Sequence, residues 1–311
     1  MENCNQVVKF LDVGHGDSSV IYLRENEFIH NTIIIDIPQS EKLLRELQEN
    51  NVKVIDLIVI THSDSDHTKG INDFLEKFTS EGKIKSICFN IDKRNTTKTM
   101  VAFLRKFMEH YQKYKIKLIS GINDSDILER KLLVYEDVNL TLLYPNQGDN
   151  VNAYLDNDAN DMSIVCMLSN NDYNILFSGD LGIKGWNRLL TRTPNLSCEI
   201  LKLSHHGAFY QSTNTMIGTN GVLDKLKPKV GIISTGQNEE YRHPREETIK
   251  ALSDKKIKIF CTQYTKLCHP DVCSGHNICC GDICVIRTRD SFTIKTQNDN
   301  YKRLDYSPCI N

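Results

Sequence analysis

The stretch Thr61-His62-Ser63-Asp64-Ser65-Asp66-His67-Thr68-Lys69-Gly70 places four side chains able to bind a metal within six positions, directly after the apolar run Leu57 to Ile60. Imidazole nitrogens and carboxylate oxygens are donors that divalent zinc and manganese accept. A loop running into the start of a helix can splay His62 and Asp64 toward one ion and Asp66 and His67 toward another. A solvated acidic turn with two surface histidines has the same local pattern, but it does not call for matching donors elsewhere. Here Asp180, in Phe177-Ser178-Gly179-Asp180, and the pair His205-His206 before Gly207 supply them. Independent His and Asp groups that agree in chemistry point to a metal site. His243, ahead of Pro244, adds an imidazole suited to contacting a phosphate or protonating a leaving group, against the plainer reading of an ordinary residue at a helix start.

Such donors need rigid elements to hold them. Short runs rich in Ile, Val and Leu predict strands at Val7 to Asp12, Ser19 to Leu23, Thr32 to Asp36, Leu57 to Thr61, Ser86 to Asn90, Leu140 to Tyr144, Ser163 to Leu168, Asn174 to Ser178, Ile200 to Leu203, Val230 to Ser234 and Lys258 to Cys261. Continuous apolar runs fit strands covered on both faces, as in a layered α/β sandwich. Helices are predicted after Ser40, after Asp66, from about Thr99 to Tyr114, and near Pro244. The third has the clearest spacing, with Met100, Phe103, Leu104, Phe107, Tyr111 and Tyr114 on one face. Four of the strands run into His62, Asp180, His205-His206 and His243, and open α/β folds place their sites at such strand ends.

The composition is that of an ordinary globular protein, with 311 residues, 40% hydrophobic and 25% charged. Lys plus Arg number 38 against 40 Asp plus Glu, so the net charge of −2 does not suggest a general polyanion coat. No apolar run approaches the roughly 20 residues of a membrane span, and the first residues lack a basic flank and apolar stretch. The expectation is a cytoplasmic protein of one domain without a membrane partner, carrying insertions at about 92–132 (basic, helical) and 261–284 (rich in Cys and His). Eleven cysteines without a secretion signal read as reduced thiols or metal ligands rather than disulfides.

His62-x-Asp64-x-Asp66-His67, Ser178-Gly179-Asp180 and Ser204-His205-His206-Gly207 resemble the metallo-β-lactamase superfamily. More narrowly, Phe10-Leu11-Asp12-Val13-Gly14-His15-Gly16-Asp17 is similar to the opening of the hydrolase domain of the ComEC-like branch, which usually has Gln where this chain has His15. Asn160-Asp161-Met162-Ser163 and Arg242-His243-Pro244 extend the match, which runs in order over about residues 6–262. The resemblance implies an αββα sandwich with a metal site along one sheet edge. It also implies a first ion held by His62, Asp64 and a bridging Asp180, and a second by Asp66, His67, Asp180 and either His205 or His206. Many members place another His between the first motif and the Gly-Asp. Only His110 lies there, inside a predicted helix, so the first site is oxygen-rich and Mn²⁺ rivals Zn²⁺. The ComEC channel has no counterpart in this chain, so DNA uptake is not carried over.

A hydroxide shared by two divalent ions would make this a hydrolase, with catalytic work falling to Asp66, His205, His206 and His243. Asp12 and Asp17 read as anchors of the first hairpin. Between Gly82 and Leu118 ten Lys or Arg stand against Asp92 and Glu109, a ridge that favours a phosphodiester substrate, nucleic acid or nucleotide. His15, Lys69, Arg105 and Lys106 are its candidate contacts, and a solvated helix face is the plainer alternative. Cys268, Cys273, His276, Cys279 and Cys280 have the density of a structural zinc knuckle without matching a standard finger. The rival functions are hydrolysis of a small ester, lactone or phosphocholine-type substrate, and a catalytically inactive scaffold that binds partners.

Overall fold

The computed structural model describes residues 6–25, 28–90, 98–123, 130–236, 242–265, 267, 281–288 and 291–297. The chain opens with strands β1 (Gln6–Phe10), β2 (Ser19–Glu25) and β3 (Phe28–Ile35), then helix α1 (Ser40–Glu49) and strand β4 (Val54–Ile60). Helices α2 (Ser65–Thr68) and α3 (Ile71–Phe78), strand β5 (Lys83–Phe89), helix α4 (Lys98–Tyr114) and strand β6 (Lys117–Ser120) follow. The second half holds β7 (Arg130–Tyr135), β8 (Val138–Tyr144), α5 (Gln147–Leu155), β9 (Val165–Ser169), β10 (Asn174–Phe177), α6 (Ile183–Arg192) and β11 (Ile200–Lys202). It ends with α7 (Gly218–Leu226), β12 (Val230–Ile233), α8 (Glu246–Asp254), β13 (Lys258–Cys261), β14 (Ile283–Thr288) and β15 (Ser291–Thr296).

The strands form two sheets. One has the order β15-β14-β1-β2-β3-β4-β5-β6, the other β13-β12-β11-β10-β9-β8-β7. Pairing is antiparallel from β15 to β3 and parallel from β3 to β6, where helices supply the crossovers. The alternation of side chains explains why the run Ile33 to Ile35 of β3 and the run Leu57 to Ile60 of β4 are continuously apolar. Ile33, Ile35, Leu57 and Val59 face the space between the sheets, whereas Ile34, Ile58 and Ile60 face the helices. Between the sheets, Phe10 stacks on Phe177 with ring centroids 5.7 Å apart. On the outer side of the first sheet, α1 contributes Leu43 and Leu47, α3 Ile71, Phe74, Leu75 and Phe78, and α4 Phe103 and Phe107, all buried. On the outer side of the second, α6 to α8 bury Trp186, Leu189, Leu223 and Leu252 near Leu201 and Leu203. The layers are therefore helix, sheet, sheet, helix, the αββα sandwich of the metallo-β-lactamase fold.

The aromatic face of α4 is core, as its spacing predicted, with Phe107 edge-on to Phe89 at 5.0 Å. Four strands lie outside the predicted set: β6, β7, β14 and β15. Three are largely half-exposed ribbons, with burial patterns that never settle into an apolar run, and β6 and β15 close the ends of the first sheet. The chain passes from β13 in one sheet to β14 in the other through the stretch that holds the Cys/His cluster. Cys268, Cys273, His276, Cys279 and Cys280 lie outside the described residues, and of the flanking cysteines Cys261 is buried and Cys284 half-buried. The helix expected near Pro244 is present as α8, which starts at Glu246 with Arg245 at its cap, so Pro244 lies just before it rather than at its first position. Among the described residues no helix is long and apolar enough to cross a membrane.

Candidate metal centre

Each half of the cluster comes from a different sheet. From the first, β4 ends at Ile60, and the chain turns through His62 and Asp64 into α2, which carries Asp66 and His67. From the second, β10 leads to Asp180, and β11 leads to a short 3₁₀ turn (Ser204–Gly207) with His205 and His206. Ligand atoms of Asp66, His67, Asp180 and His206 all lie within 4.8 Å of one another. His67 Nε2 is 3.3 Å from Asp180 Oδ1, and His206 Nε2 is 3.1 Å from Asp66 Oδ2 and 3.9 Å from Asp180 Oδ2. The second group forms alongside, with His62 Nε2 3.7 Å from both Asp64 Oδ2 and Asp180 Oδ2. Asp180 thus stands between the two groups.

Backbone conformation sends the adjacent histidines in different directions. His205 and His206 are both left-handed, at φ 49° and 52°, and Gly207 follows at 85°. Such residues cost roughly 1–2 kcal/mol each and persist only where the surroundings hold them. Here His205 N–H donates to Gly179 O, and His206 Nδ1 lies 3.0 Å from Ser234 O. The two rings diverge at an interplanar angle of 77°. His206 enters the cluster and is buried. His205 keeps Nε2 3.9 Å from Asp180 Oδ2, and its Nδ1 faces Asn160 Nδ2 at 3.3 Å and the Tyr210 hydroxyl at 3.5 Å, with the His243 ring at 5.0 Å between centroids.

Asp36 is a part of the site that sequence reasoning missed. It ends the β3 segment at φ 61°, buried, and its Oδ1 accepts from Thr61 N–H at 2.7 Å. Its Oδ2 accepts from Thr61 Oγ1 at 2.7 Å and faces His67 Nδ1 at 2.8 Å, so His67 is oriented with Nε2 toward Asp180. The available signal was a fifth apolar strand, Thr32 to Ile35, running straight into a carboxylate.

The electrostatics follow from packing acids and imidazoles together. Burial alone would raise Asp180, but His67, His206 and His62 around it hold its carboxyl well below the usual range. Burial opposes charge on Asp66 too, and the His206 hydrogen bond and His67 outweigh it, so its carboxyl is lowered. Burial likewise lowers His67, and Asp180 and Asp36 more than compensate, raising it well above its ordinary value. His62 is pushed down to about 4 by burial and by His67. Burial, Asp66 and Asp180 raise Asp64, and burial with His205 and His206 pushes His243 down to about 4.

The donor set fits divalent cations. His62 Nε2, His67 Nε2 and Asp180 Oδ1 are buried with no hydrogen-bond partner among the described residues. Buried polar atoms left unpaired are costly, and three aimed into one small space have the chemistry of a coordination site. Of the other sequence candidates, His15 lies tilted against His206 with ring centroids 4.8 Å apart and approaches Asp66 Oδ2 at 3.4 Å. Lys69 is exposed at the end of α2. Arg105 is exposed on α4 in the outer helical layer, and Lys106 pairs there with Glu76 of α3, so neither is brought into the cluster. His110 is buried on α4 against Tyr114, as its helix position implied.

Two sheets with helices outside and a His/Asp cluster at the strand ends resemble the arrangement of the metallo-β-lactamase fold. In sequence the chain is similar to two competence proteins. It is 22% identical over 277 residues to ComE operon protein 3 of Bacillus subtilis (strain 168), an alignment covering 82% of this chain and 31% of that protein. It is 23% identical over 252 residues to competence protein ComA of Neisseria gonorrhoeae, covering 81% of this chain and 30% of that protein. The chain therefore spans about a third of the length of these relatives. Similar solved structures include Tm1679, a metal-dependent hydrolase of the β-lactamase superfamily, at 10% identity over 82% of this chain and 95% of that one, TM-score 0.45. Human tRNase Z, short form, is 16% identical over 72% of this chain and 91% of that one, TM-score 0.41. The chain matches no family model.

Proposed function

We propose that this protein is a metal-dependent hydrolase of phosphodiester bonds, with a nucleic acid or nucleotide as substrate. The observation that carries the reading is the convergence, from two sheets, of His62, Asp64, Asp66, His67, Asp180 and His206 on one small space with buried donor atoms unpaired. Divalent ions held there, zinc or manganese, would supply Lewis acidity and a water of lowered pKa. His62, Asp64 and Asp180 form one donor group, and Asp66, His67, Asp180 and His206 the other. Asp180, placed between them, is the shared carboxylate.

His205 and His243 form an imidazole pair at the edge of the cluster, with Asn160 and Tyr210 against His205 Nδ1 and Asp180 3.9 Å from its Nε2. These side chains are the ones to bind and orient a phosphate at the mouth of the site, where rigid donors act on charge as it develops. His15, against Asp66 and His206, closes the opposite side. The cationic stretch from Gly82 to Leu118 supports an anionic polymer, although Lys85 pairs with Asp56 and Lys106 with Glu76.

The test is hydrolysis of a panel of DNA, RNA, cyclic dinucleotides, phosphomonoesters and lactones with Zn²⁺ and Mn²⁺ in parallel. Phosphodiester cleavage that a strong chelator abolishes is expected. Turnover restricted to esters or lactones, or indifferent to chelation, would overturn the proposal.

A further inference from the structure

Behind His206 lie two buried charged side chains that the proposed chemistry leaves unused. Lys202 closes β11, and its side chain is 3% exposed. It crosses from the second sheet to the loop between β1 and β2, where Nζ donates to Asp17 Oδ2 at 2.7 Å and reaches Leu203 O at 3.4 Å. The Asp17 side chain is 7% exposed and turns its other oxygen, Oδ1, to His206 Nδ1 at 3.5 Å. That oxygen has no hydrogen-bond partner among the described residues. The Asp17 backbone N–H donates to Asp66 O at 3.2 Å, so the same residue also holds α2.

A buried Lys–Asp pair is a poor source of stability, because desolvating both charges offsets most of their attraction. Its position is more informative than its energy. It joins the sheets at the end where each sheet contributes half of the cluster, and it puts a carboxylate behind the ring that must present Nε2. His206 Nδ1 faces only oxygens that accept, Ser234 O and Asp17 Oδ1, so this nitrogen carries the hydrogen and Nε2 is left to point at Asp66 and Asp180. A carboxylate behind a ligating histidine fixes the ring and strengthens its donor nitrogen.

We propose that Asp17, held in place by Lys202, is a positioning residue that sets His206 as a ligand for a divalent cation. This role goes beyond the hairpin anchor that the sequence implies for Asp17, and it rests on the metal-binding reading above. The experiment uses the full chain stripped of metal and titrated with Zn²⁺ and with Mn²⁺ against a chromophoric chelator. Asp17→Asn keeps the shape and removes the charge. The double variant Asp17→Leu with Lys202→Met replaces the pair by apolar side chains, a change that buried ion pairs tolerate with little loss of fold stability. Both variants should bind the ion of the His206 group about 10–100-fold more weakly. Thermal melting of the apo double variant should stay close to the parent, which separates positioning from folding. Parent-like affinity in either variant overturns the inference, and if Asp17→Asn fails to fold the double variant decides. No metal uptake by the parent protein would instead overturn the function proposed above.

Discussion

Asp180 lies 3.7 Å from His62 Nε2 and 3.3 Å from His67 Nε2, so a single carboxylate serves both donor groups. Asp180→Asn should cost at least ~10³-fold in turnover, several kcal/mol of lost charge stabilisation, with far-ultraviolet circular dichroism unchanged. Substantial residual hydrolysis would show that no shared carboxylate is needed. Asp36→Asn acts one layer further out. It weakens the hold on His67 and on the Thr61 backbone, and metal affinity should drop about 10–100-fold, read by chelator competition. An unchanged affinity would mean that His67 is oriented by packing alone. The clustered residues were legible because His and Asp crowd into 62–67 and recur at 180 and 205–206. Asp36 and Asp17 were not legible as supports, since each is a lone Asp whose meaning lies in contacts with residues far along the chain. The different settings of His205 and His206 depend on two left-handed backbone residues, which side-chain types do not announce.

The elements carry these residues by apolar patterning that was visible wherever a strand is buried on both faces. β4 and β10 to β12 were found for that reason. The half-exposed β6, β7 and β15 were missed because their side chains alternate without a clear apolar run, and hydrogen bonding to a neighbour, not composition, makes them strands. One consequence is the tie between β14 and the second sheet. Arg287 donates from Nη1 and Nη2 to Asp137 at 2.9 and 2.7 Å, and from Nε to Asp172 at 2.7 Å, reaching the β7–β8 and β9–β10 turns. The Arg287 hydrogen bonds hold the Asp137 carboxyl below its ordinary value, outweighing burial. A depressed carboxylate contributes stability above its unfolded pKa of ~3.9 and loses it as pH falls through the lower folded value. Arg287→Ala should therefore lose ~1.5–3 kcal/mol in urea unfolding at pH 7, with the gap from the parent narrowing below about pH 4. A gap that stays constant down to pH 2 would rule out this ion pair as its source. At the loop between β1 and β2, Gly16 has φ 139°, and an added Cβ would stand 2.4 Å from Asp66 O. Gly16→Ala should push that loop off α2 and reduce metal affinity, while Gly148→Ala on exposed α5, with nothing closer than 3.5 Å, should not.

At the scale of the whole molecule, neither sheet owns the site. His62, Asp64, Asp66 and His67 hang from the first sheet, and Asp180 and His206 from the second, so a cation held by the proposed donors would tie the two halves together across their interface. A ligand that binds only the folded arrangement stabilises it by mass action, ~2.7 kcal/mol at a hundredfold excess over its dissociation constant. For a chain of this size that corresponds to a rise of roughly 5 °C in melting temperature. Zn²⁺ or Mn²⁺ added to stripped protein should raise the melting point by that order, and a chelator should reverse it. Asp180→Asn should melt at nearly the same temperature with and without the ion, because it removes the carboxylate that both halves share. If the parent shows no metal-dependent shift, or the variant keeps the full shift, the cations are not held between the sheets and the cluster is an acid–imidazole network in its own right.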